Sequence, residues 1–295
     1  DKHALVGAAD AQMLTGCTEE GIPSAGLRPE LNVWNYTLSK EQADTKVQQG
    51  STEWKYYRHH KSSFLEIGLV KVAFLWELVN LGFDVLISDL DIVWIAPDWE
   101  PWMTYRKGPP LTEATLIALS DIIVSTDELD SSLDNVRGWT GGQRKSELNT
   151  GVLFMRATNG TRAFIQAWRM LMLEKRDVAY TNDQIVYNQM VDAAGMEPVA
   201  KSAARLSAWE ASLIGHGLLT KESAARAWSA VSPVPRDVLV STTSQAKPCL
   251  AHEECAPTVF SLGTLPMRVF TGGHGYFFQH TQDLPGDGVR DGPGG

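Results

Sequence analysis

The chain has 295 residues, with 26 basic against 35 acidic side chains and a net charge of -9, a mass of 32.4 kDa and a pI near 5.3. Hydrophobic residues make up 43% and charged residues 21%, which fits one large α/β domain or two small ones with ample core. The acidic balance and the lack of a basic patch exclude nucleic acid as a main partner, and the most apolar stretch, 64–95, is broken by Glu66, Lys71, Glu77 and Asp84, which excludes a transmembrane helix there.

ALVGAAD (4–10) reads as a buried strand that closes in a polar loop, and LNVWNYTL (31–38) as a weaker one. Residues 40–61 are polar, with a basic-aromatic cluster, KYYRHHK (55–61). From Ser62 to Leu81, the residues Leu65, Leu69, Val72, Trp76 and Val79 recur at helical spacing, giving one apolar face of a helix of several turns. Gly82 stands where a helix C-cap belongs. VLIS (85–88) then begins a continuous apolar strand, so helix, glycine turn and strand form half of a βαβ unit in a parallel sheet.

Pro97 and Pro101 break the pattern after that strand. DIIVST (121–126) and ELNTGVLFMRA (147–157) read as further strands, separated by the glycine-rich GWTGGQRK (138–145). Asn159 can cap a helix over 161–175 that places Phe164, Trp168 and Leu171 on one face, and TNDQIVYNQMV (181–191) reads as a second capped helix. Residues 195–257 carry little periodic signal. TLPMRVFTGGHGYFFQHTQ (264–282) is strand-like, and the tail 283–295 holds little that could pack and is expected to be disordered.

Ten Trp are present; such rings line sugar sites but more often fill cores. Cys249 and Cys255 can close a short disulfide, leaving Cys17 alone, while a zinc site with His252 would have too few ligands. Two N-glycosylation sequons, at Asn35 and Asn159, give weak support for a secretory route. A lumenal domain trimmed of its anchor would have this composition, and so would a cytosolic protein.

Asp89 and Asp91 raise the main chemical question. They follow the apolar run VLIS and so sit where a strand leaves the sheet, the position at which α/β sheets bind ligands. Residues two apart on an extended segment point the same way. Two carboxylates aimed at one point repel unless a cation lies between them. Mn²⁺ or Mg²⁺ would accept these oxygens and leave positions open for phosphates. The plainer alternative is a solvated turn.

GFDVLISDLDIVWIAPDW (82–99) resembles the Asp-x-Asp block of the nucleotide-diphospho-sugar transferase family that includes plant and algal extensin arabinosyltransferases and rhamnogalacturonan xylosyltransferases. DIIVSTD (121–127), LNTGVLFMRATNGT (148–161), NDQIVYN (182–188) and LPMRVFTGGHGYFFQHTQ (265–282) resemble its later blocks in order. The resemblance implies a GT-A-type α/β fold, Rossmann-like, with a mostly parallel central sheet flanked by helices, as one catalytic domain over 1–282. It implies a retaining transferase that moves a sugar, arabinose in first place and xylose or galactose as alternatives, from a UDP-sugar. The acceptor would be a hydroxyl of a glycan, of a hydroxyproline-rich glycoprotein or of a cell-wall polymer, and the setting the Golgi lumen, with a membrane anchor outside this chain.

The same resemblance implies the site. Asp89, Asp91 and His280 would hold the metal, with His274 as rival to His280. Ala8, Ala9 and Asp10 would meet the uracil and ribose, unless they only close a strand. Lys71 would reach the diphosphate or stay solvated. Asn149 would bond the donor sugar and Gly151 would let the backbone approach it, while Thr150 pairs in the sheet. Asp183, with Gln184, would act as nucleophile or stabilise an oxocarbenium ion, or would serve only as a first-turn acid. Arg144 and Lys145, beside Gly141 and Gly142, would form a lid or a solvated turn. Two rival classes remain: a phosphatase or nucleotidyltransferase using the same Asp-x-Asp, for which the paired downstream acids are missing, and a non-catalytic glycan-binding module.

Overall fold

The computed structural model describes residues 6–8, 11–21, 24–26, 61–89, 92, 94, 99–104, 116–127, 139–140, 143–144, 147–176, 178, 181–194, 196–199, 203–222, 238–241, 260–266 and 270. The chain divides into two compact units, one of residues 1–77 with 168–183 and one of residues 78–167 with 184–295. The strand expected at 31–38, the Cys249–Cys255 pair and the tail 283–295 lie outside the described residues.

In the first unit, strand β1 (Val6–Ala8), helix α1 (Ala11–Glu19) and strand β2 (Ser24–Gly26) form a βαβ element. The two strands pair in parallel, Val6 opposite Ser24. Gly21, at φ 66°, ends the helix in the left-handed conformation that glycine adopts at no steric cost.

Helix α2 spans Lys61–Asn80, one residue earlier at each end than the periodicity predicts. Leu65, Val72, Leu75 and Val79 are buried, while Leu69 and Trp76 are half-buried. The inward face is therefore centred nearer Leu75 than the predicted stripe. The helix stops at Gly82, whose φ is 92°. Its N–H donates to the Val79 carbonyl and that of Phe83 to the Leu78 carbonyl, so the last turn closes on itself.

The second unit is built on a six-stranded sheet. In spatial order its strands are β3 (Val85–Ser88), β7 (Leu148–Met155), β4 (Ile122–Thr126), β10 (Phe260–Thr264), β9 (Val238–Ser241) and β8 (Glu197–Pro198). A small hairpin of β5 (Trp139–Thr140) and β6 (Gln143–Arg144) stands apart from it. The α/β class expected from the sequence holds. The strand directions are more mixed than expected, however: β4 and β10 pair in parallel, and the other four pairings are antiparallel.

The remaining helices are α3 (Glu100–Met103), α4 (Asn159–Glu174), α5 (Asp183–Ala193) and α6 (Ala203–Gly215). Among the described residues, no helix is long and apolar enough to cross a membrane. The cap of α4 is Thr158, not Asn159: the Thr161 N–H donates to Thr158 Oγ1 at 3.1 Å. Asn159 is already helical, and its side chain accepts from Arg162 instead. One apolar cluster joins Ile117, Ile123, Val152, Phe154 and Leu265. Another gathers around Trp209, with Leu116, Leu119 and Leu213. Trp168 and Trp209 are fully buried, which bears out the core reading for these two rings, whereas Trp94 is exposed.

Strand β10 begins before the strand-like segment predicted at 264–282, of which only 264–266 and 270 are among the described residues. It runs over Phe260–Thr264 and ends where the predicted segment starts. Gly263 hides it from a periodicity search. A Cβ at that position would stand 2.8 Å from Ser120 Oγ and 3.0 Å from the Ile117 carbonyl oxygen, so only glycine fits the strand there.

Asp121 locks three segments together. Its Oδ2 accepts the Ser261 N–H at 2.8 Å and the Ser261 hydroxyl at 2.7 Å, and its Oδ1 accepts the Thr158 hydroxyl at 2.7 Å. Arg156, buried nearby, donates to the carbonyls of Ser120 and Ala118. Burial lowers the pKa of this guanidinium, and the negative charges of Asp84 and Asp121 offset part of that shift.

Candidate active site

Strand β7 carries the centre of the site, because its pairing is interrupted there. Val124 of β4 faces Leu153, yet the next residue, Ser125, faces Asn149. The three residues Thr150, Gly151 and Val152 are thus squeezed into one step of the partner strand, a bulge of the kind that re-aims side chains beside functional sites. On the other side β3 stops at Ser88, and the Asp89 N–H donates to the Gly151 carbonyl at 2.8 Å. The carboxylate of Asp89 follows the last strand residue, as the apolar run predicts.

Side-chain amides take further backbone groups of β7. Asn188 donates from Nδ2 to the Leu148 carbonyl at 2.9 Å and accepts the Leu148 N–H at 2.8 Å, so it replaces a strand residue. Gln184, one turn earlier on α5, accepts the Thr150 N–H at 3.4 Å. Asn149 accepts the Gly151 N–H on its own Oδ1 at 2.6 Å. Both outer amides then donate to one carboxylate: Asn149 Nδ2 to Asp127 Oδ1 at 2.5 Å, and Gln184 Nε2 to Asp127 Oδ2 at 2.7 Å. Asp127 is itself exposed, at the end of β4.

Gly151 fits flush into this arrangement. A Cβ on it would stand 2.7 Å from Asn149 Oδ1 and 3.4 Å from Asp89 Oδ2. The Asn149 oxygen and the Asp89 carboxylate therefore close on the spot that a side chain at 151 would need, and only glycine leaves that spot to them. The Asn149 oxygen cannot swing aside cheaply, because it accepts the Gly151 N–H and its nitrogen is held by Asp127. Gly151→Ala should therefore lower donor affinity by about tenfold or more, given how steeply activity depends on placement. The accompanying loss of stability, about 1–3 kcal/mol for one overpacked methyl, is read separately by urea denaturation. Wild-type donor affinity in a folded G151A protein would contradict this placement.

In the first unit, Lys71 pairs with Asp183, Nζ to Oδ2 at 3.3 Å, with side-chain exposures of 12% and 13%. The sequence offered Lys71 to a diphosphate or to solvent; the structure shows it against the acid. A Cβ on Gly68 would come within 3.0 Å of Asp183 Cβ, and Trp168 Nε1 donates to the Asp183 carbonyl at 3.0 Å. Asp183 is also the first-turn acid of α5. Arg169 lies over the Trp76 ring at 5.3 Å; burial pushes its pKa down to about 10, against the opposing pull of Glu77.

Of the other expected site residues, Ala8 ends β1 and Arg144 ends β6. Ala9, Asp10, Asp91, Gly141, Gly142, Lys145, His274 and His280 lie outside the described residues. Among the described residues, no group of three or more His, Cys, Asp or Glu is placed to hold a metal ion. Asp89, an exposed carboxylate next to the buried Gly151, is the kind of hard oxygen donor that a divalent cation takes. Sequence reasoning left Asp127 and Asn188 without roles. The available signal was the four-residue spacing of Gln184 and Asn188, which puts two amides on one helix face.

A sheet that ends in an exposed carboxylate, a flush glycine and a set of fixed amides is a polar ligand site of the kind α/β domains build at strand ends. Residues 1–285 match the family of nucleotide-diphospho-sugar transferases, and the chain belongs to that family. It is a glycosyltransferase, with a sugar nucleotide as donor and a glycosyl acceptor. Comparison with curated proteins and with solved structures gives no match.

Proposed function

We propose that this chain is a retaining, metal-dependent transferase that moves arabinose from a UDP-sugar to a hydroxyl of a glycoprotein glycan or cell-wall polymer. We place it in the Golgi lumen, with a membrane anchor outside the chain. The observation that carries the reading is the Asp127–Asn149–Gln184 network beside Gly151 and Asp89, on which the residues expected to bind the donor sugar are already hydrogen-bonded into place.

Mn²⁺ or Mg²⁺, held by Asp89 with Asp91 and His280, would supply charge neutralisation for the departing diphosphate. The chain does the rest. Asn149 offers a sugar hydroxyl the amide hydrogen that Asp127 does not take. Gly151 leaves room for the Asn149 side chain that would meet the sugar. Ala8, Ala9 and Asp10 receive the nucleoside. Asp183 stands on the retaining step, as nucleophile or as stabiliser of positive charge at the anomeric carbon. The Lys71 ammonium lies 3.3 Å from its carboxylate.

The test is donor hydrolysis and transfer with UDP-arabinose, UDP-xylose, UDP-galactose and UDP-glucose, with the anomeric configuration of the first-formed product followed by proton NMR. UDP-arabinose should turn over fastest, with configuration kept. Inversion at the anomeric carbon would refute the retaining assignment, and preference for another sugar would refute the donor.

A further inference from the structure

We propose that Asp127 is a positioning residue that fixes the orientation of both sugar-site amides, and so sets how the donor sugar is held. The proposal rests on the transferase reading above, but on a different residue and a different observation.

An ionised carboxylate only accepts hydrogen bonds. Asp127 accepts one at each oxygen, from Asn149 Nδ2 at 2.5 Å and Gln184 Nε2 at 2.7 Å. An amide whose nitrogen is pinned must aim its oxygen the other way. Asn149 Oδ1 accordingly receives the Gly151 N–H and Gln184 Oε1 the Thr150 N–H. Those two consecutive N–H groups lie within the bulge of β7. One carboxylate thus decides which face of each amide points outward, through a ring that closes on backbone donors that cannot turn.

The substitution Asp127→Asn cannot keep this ring. The new NH₂ would confront one of the two amide nitrogens, and that amide would have to rotate. Rotation would set its own NH₂ against a backbone N–H. In the double variant Asp127→Asn with Gln184→Glu the conflict disappears. The oxygen of the introduced asparagine accepts from Asn149, and its NH₂ donates to the introduced glutamate. The second oxygen of that glutamate accepts the Thr150 N–H. Net charge equals that of the wild type, so the double variant separates the position of the charge from its presence.

The experiment measures the affinities of UDP and of UDP-arabinose by calorimetry, for wild type, D127N and D127N/Q184E. Asp127 is exposed, so its replacement leaves no buried hole, and thermal unfolding confirms that each variant is folded. In D127N, UDP-arabinose should bind about tenfold or more weaker, the scale of a lost or opposed hydrogen bond, while UDP affinity stays within about twofold. The double variant should recover most of the lost affinity for the sugar nucleotide. Wild-type affinity for UDP-arabinose in D127N, or a double variant as weak as D127N, would overturn the proposal and leave the transferase reading standing. A wild-type protein that binds no UDP would overturn both.

Discussion

Asp121→Ala should unfold at markedly lower urea concentration than the wild type, with a loss of about 3–5 kcal/mol, the scale for removing one partner from a buried charged network. Three donors lose their acceptor at once: the Ser261 N–H, the Ser261 hydroxyl and the Thr158 hydroxyl. Asp121 is 5% exposed, Ser261 1% and Thr158 7%, so little water reaches them. Arg156 also loses a negative charge that offsets the cost of its burial. Asp121→Asn should cost less, about 1–2 kcal/mol. The amide oxygen can still accept from Ser261, and Thr158 can turn its hydroxyl toward Thr161, 3.0 Å away. Equal losses in the two variants would show that the network does not act through its acceptors.

The second large effect is catalytic. Asp89→Ala should lower transfer by about a thousandfold, the magnitude that removal of a main electrostatic contact in the transition state produces. Stability should barely change. The side chain is exposed, and the hydrogen bond that ties this residue to β7 comes from its backbone N–H. The expected pattern is a collapse of activity with the unfolding curve in place, opposite to that of Asp121→Ala. A D89A protein with near-wild-type turnover would remove Asp89 from the site.

The sequence was most legible where local chemistry decides the outcome. The helix ending at Gly82 and the four-residue strand VLIS need only a periodic face, a glycine able to take positive φ and a short apolar run. Strand direction was harder to read. VLIS and IIVST are continuously apolar, but a continuous pattern reports coverage on both faces, and β7 runs antiparallel between these two strands. Strand β10 escaped because Gly263 answers a close approach by the Ile117 carbonyl, which lies far away in the chain. Asp89, Asn149, Gly151, Asp183 and Gln184 could be named as candidates from their motifs. Asp127 and Asn188 could not, since their partners are amides and backbone groups brought close only by the bulge in β7. The Lys71–Asp183 pair likewise joins residues far apart in the chain.

Titration of UDP into the protein with and without Mn²⁺, for the wild type and for Asp89→Ala, tests the central claim most directly. Wild-type protein should bind UDP far more tightly with the metal than without it, and D89A should lose that difference while remaining folded. UDP affinity that ignores Mn²⁺ in the wild type, or a metal-dependent gain that survives in D89A, would contradict the account.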